Sequence, residues 1–441
     1  MKVAVIGGGS TYTPELLDGL FRRRAELDLH EVHLHDVDPG RLELLGRLGE
    51  RMAARSFEHD RATPAGRSGV PVAVRWGTDR SAAVAGSSFV VSQIRVGGMA
   101  ARERDELLGR EFDLIGQETV GVGGLANAWR TIPVAVDIAR DVARHAPDAV
   151  LLNFTNPAGL VTEALWRAGD VAAIGLCNAP WTMRVEIATA LDEPLDDVVV
   201  DSVGLNHLSW VRQVQVRGID RTADALDAHH ALMERRASAT GSPTFTREAY
   251  EVLGAIPNSY QRYYYDTPAM LAHQREHPTR ASTVQAIEHS LLAQYADPTL
   301  DHKPAELDRR GGAHYSEAAA ALMADLVGTP AGAPVRHVVD VPSAGAIPGF
   351  PDEAVVEIAI AVGGGTWQPC PTDPLPPEVD ALMRTMKDVE QLAVQAALTG
   401  DENAALRALV THPLGPSVSQ VHRVWARLRE LNAGCLGALD R

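Results

Sequence analysis

The chain of 441 residues is too long for one compact core of typical size, so its length predicts two domains and allows a third. Hydrophobic residues make up 45% and charged residues 22%, and no segment has the length of an apolar membrane span, which predicts a soluble globular protein. The net charge of −16 disfavours nucleic acid and anionic membranes as partners.

The cysteines and the N-terminus indicate where the protein is found. Cys177, Cys370 and Cys435 are an odd number without the spacing of a disulfide framework, which favours a reducing compartment. The chain enters a predicted strand at once, without a basic and apolar leader. We therefore expect a cytoplasmic protein.

The first predicted strand, residues 3–6, leads into a turn rich in glycine. The turn consists of Gly7, Gly8, Gly9, Ser10 and Thr11. Glycine permits a tight turn and a close approach of the backbone to phosphate oxygens. A helix predicted over residues 14–27 directs its positive N-terminal dipole to the same place. The turn therefore predicts a pyrophosphate-binding site.

A second predicted strand, residues 32–35, ends at Asp36. A carboxylate there can accept hydrogen bonds from a ribose diol and repels a 2'-phosphate, which favours NAD over NADP. The pattern departs from the usual fingerprint, because Tyr12 stands where a third glycine normally permits close packing of the helix. An ordinary glycine-rich turn between a strand and a helix is the alternative interpretation.

Further apolar runs alternate with predicted helices. The runs are at 72–75, 89–94, 149–154 and 171–176, and the helices are expected at 41–54, 132–144 and 158–167. This alternation predicts an α/β domain over residues 1–195, with a Rossmann-type doubly wound parallel sheet like that of lactate and malate dehydrogenases. The segment His59–Pro71, rich in Arg, Gly and Pro, is expected to be a surface loop.

After about residue 200 the pattern changes to longer helices. These are expected at 220–239, 281–294, 315–326 and 376–399, with a strand-like segment at 355–362 between them. Residues 196–441 are therefore predicted to form a second, mainly helical α+β domain. A second glycine triplet, at 363–365, does not precede a helix and is predicted to be a turn.

Polar side chains follow several predicted strands, at the edge where ligands bind in open α/β sheets. Arg95 stands next to Val96 and the paired glycines 97–98, where it can bind a phosphate or a carboxylate. Asn153 can contact the hydroxyls of a ribose or a sugar, and Asn156 is expected to cap the following helix. A plain surface arginine is the alternative for Arg95.

Cys177 and His207 each follow a predicted strand. A thiolate and an imidazole can share a divalent metal, although buried cysteines and hydrogen-bonded histidines are also common in protein cores. Farther along, four of the eight tyrosines lie within residues 260–265. In a helix Tyr260 and Tyr264 would share a face. A phenol beside a metal or an arginine can act as a base, and aromatic packing is the alternative.

These segments, in this order behind the glycine turn, resemble glycoside hydrolase family 4. The family consists of glycosidases that depend on NAD and a divalent metal, and it departs from the two-carboxylate route of most glycosidases. The resemblance extends from Gly7 to about Arg280 and includes residues 115–119 and 123–124. It implies a small phosphorylated glycoside as substrate and assembly into a homodimer or homotetramer.

The resemblance also implies roles for individual residues. Cys177 and His207 match the metal ligands, usually of Mn²⁺, and Tyr260 matches the catalytic base. The implied reaction proceeds by oxidation at sugar C3, removal of the C2 proton by Tyr260, elimination of the leaving group and addition of water. Hydride then returns from the cofactor to C3, so the net reaction is a hydrolysis.

The implied substrate contacts come from four further residues. Arg95 and Asn153 match residues that hold the sugar, Arg95 through its 6-phosphate, and Arg280 matches an arginine that contacts the substrate or supports the base. Asn178 follows Cys177, at a position that tends to be an acid or a histidine in members acting on α-linked sugars. The Cys-Asn-x-Pro sequence resembles the 6-phospho-β-glucosidase branch of the family.

Three alternative functions follow from the same residues. A 2-hydroxy-acid dehydrogenase would share the general fold, but it has no use for a Cys177–His207 pair or for a tyrosine cluster. A non-enzymatic nucleotide sensor would explain residues 7–36 and leave the later polar segments without a task. A family 4 glycosidase for a different or non-phosphorylated sugar would use the same residues on another substrate.

Overall fold

The structure is a computed structural model that describes residues 1–61, 71–169, 171–311, 315–328 and 334–441. The surface loop expected at 59–71 lies mostly outside the described residues, and residues 59–61 are the end of a helix rather than a loop.

The described residues form one sheet with helices packed around it. The strands are β1 Lys2–Ile6, β2 Glu31–His35, β3 Ala73–Gly77, β4 Phe89–Ser92, β5 Val150–Asn153, β6 Ala172–Gly175, β7 Val198–Leu205, β8 Leu208–Val216, β9 Ile219–Asp220, β10 Ile256–Pro257, β11 Val335–Pro342, β12 Val355–Gly363 and β13 Thr366–Pro369. The helices are α1 Thr13–Arg22, α2 Pro39–Arg61, α3 Arg80–Val84, α4 Gly98–Glu111, α5 Gly121–His145, α6 Ala158–Ala168, α7 Asn178–Leu191, α8 Thr222–Thr240, α9 Arg247–Leu253, α10 Arg262–Tyr265, α11 Thr267–Glu276, α12 Arg280–Tyr295, α13 Tyr315–Val327, α14 Pro377–Thr399, α15 Glu402–Thr411 and α16 Val421–Leu431.

The six strands predicted in the first part of the chain are parallel neighbours in the order β3-β2-β1-β4-β5-β6. This order is that of doubly wound dinucleotide-binding sheets, so the predicted fold class is confirmed. The strands are apolar throughout because helices cover both faces, and Val3, Ala4 and Val5 of β1 are fully buried. The strand order reverses between β1 and β4, which opens a crevice at their carboxyl ends.

Beyond β6 the same sheet continues with antiparallel strands in the order β11-β12-β7-β8-β10. The predicted strand at 355–362 is β12, and the glycines at 363–365 form its turn into β13, as expected. The sequence did not indicate β11. The division into domains at residues 195 and 196 stays a prediction, and strands from both sides of it belong to this one sheet.

Helix α5 is longer than expected and packs against the C-terminal helices. It begins at Gly121 instead of near residue 132, so Pro133 lies inside the helix instead of near its start. Trp129 is fully buried and donates from Nε1 to the carbonyl of Ala393 in α14 at 3.0 Å. Its ring also meets Trp425 of α16 edge-on, so the C-terminal helices stabilise α5. None of the described helices has the length and apolar character required to cross a membrane.

Candidate active site

The carboxyl ends of the parallel strands open into a cavity of about 1040 Å³. Its wall includes most of the predicted site residues, namely Gly7, Gly9, Ser10, Asp36, Arg95, Asn178, His207, Tyr260 and Arg280. The four other predicted site residues do not line the cavity: Gly8, Thr11, Asn153 and Cys177. The volume is at the upper end of the range for ligand pockets and can hold a cofactor together with a small substrate.

The glycine turn is packed so tightly that side chains would not fit. Gly7 has a φ of 91°, and a Cβ on it would lie 2.8 Å from the carbonyl oxygen of Gln93. A Cβ on Gly9 would lie 2.9 Å from the carboxylate of Asp36. The Gly9 amide donates to Asp36 Oδ2 at 2.8 Å, and α1 begins at Thr13, directly after the turn. Turn, helix N-terminus and carboxylate therefore fit the pyrophosphate and ribose of a dinucleotide.

Thr11 anchors the turn instead of facing the cavity. Its hydroxyl donates to Glu288 at 2.9 Å and accepts from Arg310 Nε at 2.8 Å, while Tyr295 donates to its carbonyl oxygen at 2.7 Å. Tyr12, at the position of the missing third glycine, borders the cavity. The turn is thus attached to α12 and to the segment that follows it.

Cys177 is the N-cap residue of α7 and is 4% exposed. Its Sγ accepts a hydrogen bond from the Ala179 amide at 3.3 Å. A helix N-terminus favours a thiolate, but burial and the neighbouring Glu357 raise the pKa of the Cys177 thiol. We therefore expect Cys177 to ionise when a cation binds next to it.

His207 lies in the two-residue turn between β7 and β8 and has a φ of 63°. This conformation costs a non-glycine residue about 1–2 kcal/mol, and such strain is concentrated at functional sites. Nδ1 is hydrogen-bonded to Thr119 Oγ1 at 2.8 Å, which fixes the ring and leaves Nε2 for another partner. Burial lowers the pKa of His207 to about 4, so the imidazole is neutral at pH 7, as a metal ligand must be.

Tyr260 stacks on the His207 ring, with centroids 3.7 Å apart and an angle of 8° between the planes. Burial and the nearby Cys177 raise the pKa of Tyr260, whereas Arg102 opposes that rise. The Tyr260 amide donates to Asn258 Oδ1 at 3.1 Å, which fixes the start of the turn. Tyr260 therefore lies between the proposed metal ligands and a guanidinium.

Tyr260 and Tyr264 do not belong to one helix, so they do not share a helix face. Tyr260 belongs to a 3-10 turn, Ser259–Gln261, and α10 begins only at Arg262. The Tyr264 hydroxyl contacts Met386 Sδ at 3.8 Å, away from His207. The change from a 3-10 turn to an α-helix rotates the two rings into different surroundings.

The protein alone supplies few metal ligands. Among the described residues, no group of three or more His, Cys, Asp and Glu side chains is arranged to hold a metal ion. His207 stacks on Tyr260, and Cys177 is near enough to Tyr260 to raise its pKa; a thiol and an imidazole suit a borderline metal. A metal bound there would take the rest of its ligands from bound molecules.

Arg95, at the end of β4, pairs with Glu118, and Arg102 Nη1 lies 3.0 Å from the other carboxylate oxygen of Glu118. Burial opposes the ionisation of Glu118, but Arg95 and Arg102 outweigh it and lower the pKa to about 2. No role for Arg102 or Glu118 follows from the sequence patterns alone. Arg102 and Glu106 are four residues apart in α4, which in sequence is typical of an exposed helix pair.

Two further arginines complete a positively charged wall. Arg280, the first residue of α12, is exposed at the cavity, and its Nη2 donates to the carbonyl oxygens of Arg309 and Arg310 at 3.3 and 3.2 Å. Arg310 Nη2 lies 2.9 Å from Glu288. Partial burial lowers the pKa of Arg280. The nearby Arg102 lowers it further, because the two like charges lie close together. This concentration of guanidinium groups suits an anion such as a phosphate.

Of the two asparagines near the end of β5, the structure places Asn156 on the wall. Asn153 is fully buried, and its Nδ2 donates to Thr162 Oγ1 at 3.1 Å. Asn156 Oδ1 is buried without a hydrogen-bond partner among the described residues. The expectation that Asn156 caps α6 is wrong, because Pro157 is the N-cap residue and makes no side-chain cap bond. The substrate role of Asn153 stays a prediction.

The fold and the site define a dinucleotide-binding α/β protein with a thiol and an imidazole, suited to a metal, beside the cofactor crevice. Two family models match the chain in succession. Residues 2–193 match the family 4 glycosyl hydrolase model, and residues 202–415 match that of the family 4 glycosyl hydrolase C-terminal domain. The chain belongs to glycosyl hydrolase family 4, as its residues predicted.

Similar proteins cover nearly the whole chain. The 6-phospho-beta-glucosidase of Escherichia coli is 37% identical over 426 residues, which are 94% of this chain and 91% of the relative. The structure of the 6-phospho-beta glucosidase from Thermotoga maritima, with manganese, NAD+ and glucose-6-phosphate, has a TM-score of 0.88 at 32% identity and 98% coverage of each chain. Malate dehydrogenase from Plasmodium falciparum with NADH has a TM-score of 0.51 at 11% identity over 90% of this chain and 99% of its own. This last likeness is one of fold alone.

Proposed function

We propose that the protein is a 6-phospho-β-glucosidase that hydrolyses 6-phospho-β-glycosides with NAD and Mn²⁺, or another divalent metal, as cofactors. The observation that carries the proposal is the stacking of Tyr260 on His207, with Cys177 near enough to raise the pKa of Tyr260, in a cavity that also contains the glycine turn and Asp36. A dehydrogenase would need the turn but not the thiol. A nucleotide sensor would need neither the thiol nor the phenol.

The residues present suit both cofactors. The tight turn at Gly7 and Gly9 exposes backbone to a pyrophosphate, and Asp36 is held by the Gly9 amide where a ribose would lie. Cys177 and His207 supply a soft and a borderline ligand. When bound, NAD+ supplies a reversible oxidant for sugar C3, and the metal supplies positive charge at the oxygens of C2 and C3.

Tyr260 is the proposed acceptor of the C2 proton. Burial and Cys177 raise its pKa, and this opposes ionisation of a phenol. A cation held by Cys177 would neutralise the thiolate charge, and Arg102 already favours the phenolate. Tyr260 is therefore able to act as a base when the metal site is filled. When the site is empty, Tyr260 stays a neutral phenol.

The arginine wall is the proposed site of the sugar 6-phosphate. Arg95 and Arg102 share Glu118, and Arg280 and Arg310 lie on the same wall. A dianionic phosphate would add charge-assisted hydrogen bonds without burying an unpaired charge. Asn178 stands beside Cys177 in place of an acid or a histidine, which supports a preference for β-linked substrates, whose leaving group would depart without a strong protein acid at this position.

The decisive experiment uses p-nitrophenyl β-D-glucoside 6-phosphate with NAD+ and Mn²⁺. We expect release of nitrophenol without accumulation of NADH, slower turnover when C3 carries deuterium, and no turnover by enzyme stripped of NAD. The α-anomer is the control substrate for the preference for β-linkages, and the glucoside without phosphate is the control substrate for the preference for the 6-phosphate. Steady formation of NADH from a 2-hydroxy acid, or equal cleavage without NAD, would overturn the proposal.

The protein is further proposed to work in the cytoplasm as a homodimer or homotetramer. This proposal rests on the resemblance and on the cysteine content, since only Cys177, Cys370 and Cys435 occur. Light scattering on the purified protein gives the assembly, and a monomer at micromolar concentration would contradict it.

A further inference from the structure

Two carboxylates are buried between the strands that carry the proposed metal ligands. Cys177 follows β6 and His207 follows β7, but these strands are not neighbours. The sheet order places β11 and β12 between them. The strands β11 and β12 therefore form the floor between Cys177 and His207.

One row of paired residues crosses this floor. Gly175 of β6 pairs with Asp340 of β11, Asp340 pairs with Glu357 of β12, and Glu357 pairs with Gly204 of β7. Asp340 and Glu357 are each 1% exposed. Burial raises the pKa of both carboxyls, and the opposing Glu357 adds to the rise for Asp340, so the pair resists ionisation while no cation is near. This arrangement requires a compensating role.

The protein offers these carboxylates little compensation. Asp340 Oδ1 and Glu357 Oε1 are buried and have no hydrogen-bond partner among the described residues. Ser209 hydrogen-bonds to Glu357, but Lys387, a buried amine that influences Asp340, pairs with Glu163 at 3.1 Å and with Glu390 instead. Two unsatisfied carboxylate oxygens therefore lie beneath the proposed metal site, next to the cysteine whose ionisation they oppose.

A hydrogen-bonded link connects the pair with His207. Asn206 Nδ2 donates to Asp340 Oδ2 at 3.3 Å and to Glu357 Oε2 at 3.4 Å. Asn206 and His207 are the two turn residues between β7 and β8. The glycine of β6 also makes room for the pair, since a Cβ on Gly175 would lie 2.7 Å from the Cβ of Asp340.

We propose that the Asp340–Glu357 pair is the outer shell of the metal site, where its negative charge compensates a divalent cation and Asn206 orients the His207 turn. The inference rests on the proposed function, because it requires a cation at Cys177 and His207. A thiolate and a neutral imidazole together contribute one negative charge, so a dication bound to them remains positive. Buried carboxylates close by stabilise that charge, and outer-shell groups of this kind tune metal affinity 10- to 100-fold.

The test is a titration of the metal-free, NAD-loaded protein with Mn²⁺, in which free Mn²⁺ is followed by electron paramagnetic resonance. Asp340→Asn and Glu357→Gln keep the shape of each side chain and remove its charge. We expect each variant to raise the Kd for Mn²⁺ about 10- to 100-fold. Glu353→Gln removes an exposed carboxylate from the segment between β11 and β12 and should leave the Kd unchanged. Wild-type Kd values in both amide variants would overturn the proposal.

Two additional variants separate this inference from the proposed function. Cys177→Ser removes a proposed ligand and should abolish saturable binding of Mn²⁺. If the wild type itself fails to bind Mn²⁺, the proposed function fails. If the wild type binds Mn²⁺ and both amide variants bind it equally well, the outer-shell proposal alone fails. Glu357→Asp keeps the charge and should retain more affinity than Glu357→Gln. Equal affinities of these two variants would contradict a role for charge.

The thermal stability of the metal-free variants provides a separate check. Each amide replaces a buried carboxyl whose ionisation is already opposed by burial, so the melting temperature of metal-free Asp340→Asn and Glu357→Gln should be at or above that of the wild type. A loss of affinity together with a stable fold then identifies a role toward the metal. Should one amide variant fail to fold, the other carries the test.

Discussion

The phenol ring of Tyr260 stacks on the imidazole of His207 at a centroid distance of 3.7 Å. Nδ1, on the edge of the imidazole, is hydrogen-bonded to Thr119 Oγ1 at 2.8 Å, so the proposed base and a proposed metal ligand form one packed unit. The stacking of Tyr260 requires only its ring, whereas the proposed proton transfer requires its hydroxyl. The two contributions can therefore be separated by one substitution.

Tyr260→Phe should keep the stacked ring and lose the base. We expect kcat to fall at least about 100-fold, because a positioned base typically contributes that much. Exchange of the C2 proton with solvent deuterium, followed by NMR, should slow in parallel, while the Kd for Mn²⁺ is retained. Tyr263→Phe is the matched control, since Tyr263 also borders the cavity, with its centroid 6.4 Å from that of Tyr260. Unchanged exchange in Tyr260→Phe would assign the base to another group.

Arg95→Ala should remove the preference for phosphorylated over plain glycosides. The loss of one charge-assisted contact of about 1.5–3 kcal/mol corresponds to roughly 10- to 100-fold in kcat/KM for the phosphorylated substrate alone. The measurement is the ratio of kcat/KM for the two p-nitrophenyl glucosides. Arg41→Ala, which changes an arginine beside Gly9, is the control and should leave this ratio intact. A ratio that survives in Arg95→Ala would place the phosphate elsewhere.

Asp36→Asn should weaken NAD+ binding and reduce discrimination against NADP+. Its carboxylate accepts from the Gly9 amide and would repel a 2'-phosphate, so a neutral amide loses the repulsion. We expect the Kd for NAD+ to rise about tenfold, measured by calorimetry, while that for NADP+ rises less. Asp38→Asn is the control, because exposed Asp38 only caps the start of α2 through the Gly40 and Arg41 amides. Equal losses for both dinucleotides in Asp36→Asn would contradict the assignment.

Glu118→Gln should destabilise the protein in a pH-dependent manner. Arg95 and Arg102 outweigh burial and lower the pKa of Glu118 from 4.5 to about 2, so its stabilisation is fully present above pH 4.5 and is lost as the pH falls toward 2. The contribution to the free energy of unfolding is about 3 kcal/mol at pH 7 and less than half of that at pH 3.

The measurement is the difference in melting temperature between wild type and Glu118→Gln as the pH is lowered. That difference should narrow toward pH 3. Glu353→Gln, in which an exposed carboxylate is removed, should show no comparable narrowing. A constant difference for Glu118→Gln would mean that Glu118 is not held as an ion by the two arginines.

Local patterns predicted the parallel half of the sheet well. Its strands are short apolar runs, because both faces are covered, and each run is recognisable within a few residues. The glycine turn was predicted equally well. Gly7 and Gly9 are required there because a Cβ on either residue would collide with Gln93 or with Asp36. The antiparallel half was harder. Strand β11 joins the next strand, β12, to β6, and a pairing between residues as far apart along the chain as Asp340 and Gly175 leaves no local pattern.

The candidate site shows the same division. Cys177, His207 and Tyr260 were identified through the order of motifs along the chain. Arg102 was not identified. Arg102 and Glu106 are four residues apart in a helix, and such a pair has the same sequence pattern whether it faces water or a cavity. Nor could the sequence distinguish Asn153 from Asn156 as the wall residue, since both lie at the carboxyl end of β5 and only packing buries Asn153.

The sequence by itself determined the family, the fold class and the chemical types of side chain at the strand ends, because those properties depend on short-range patterns and on motif order. Only the tertiary structure decided that Tyr260 stacks on His207, that Glu118 joins Arg95 to Arg102, and that Asp340 and Glu357 lie opposite each other beneath the site. These contacts join residues from distant strands and turns. Their positions are set by the packing of the whole sheet, and no local segment contains that information.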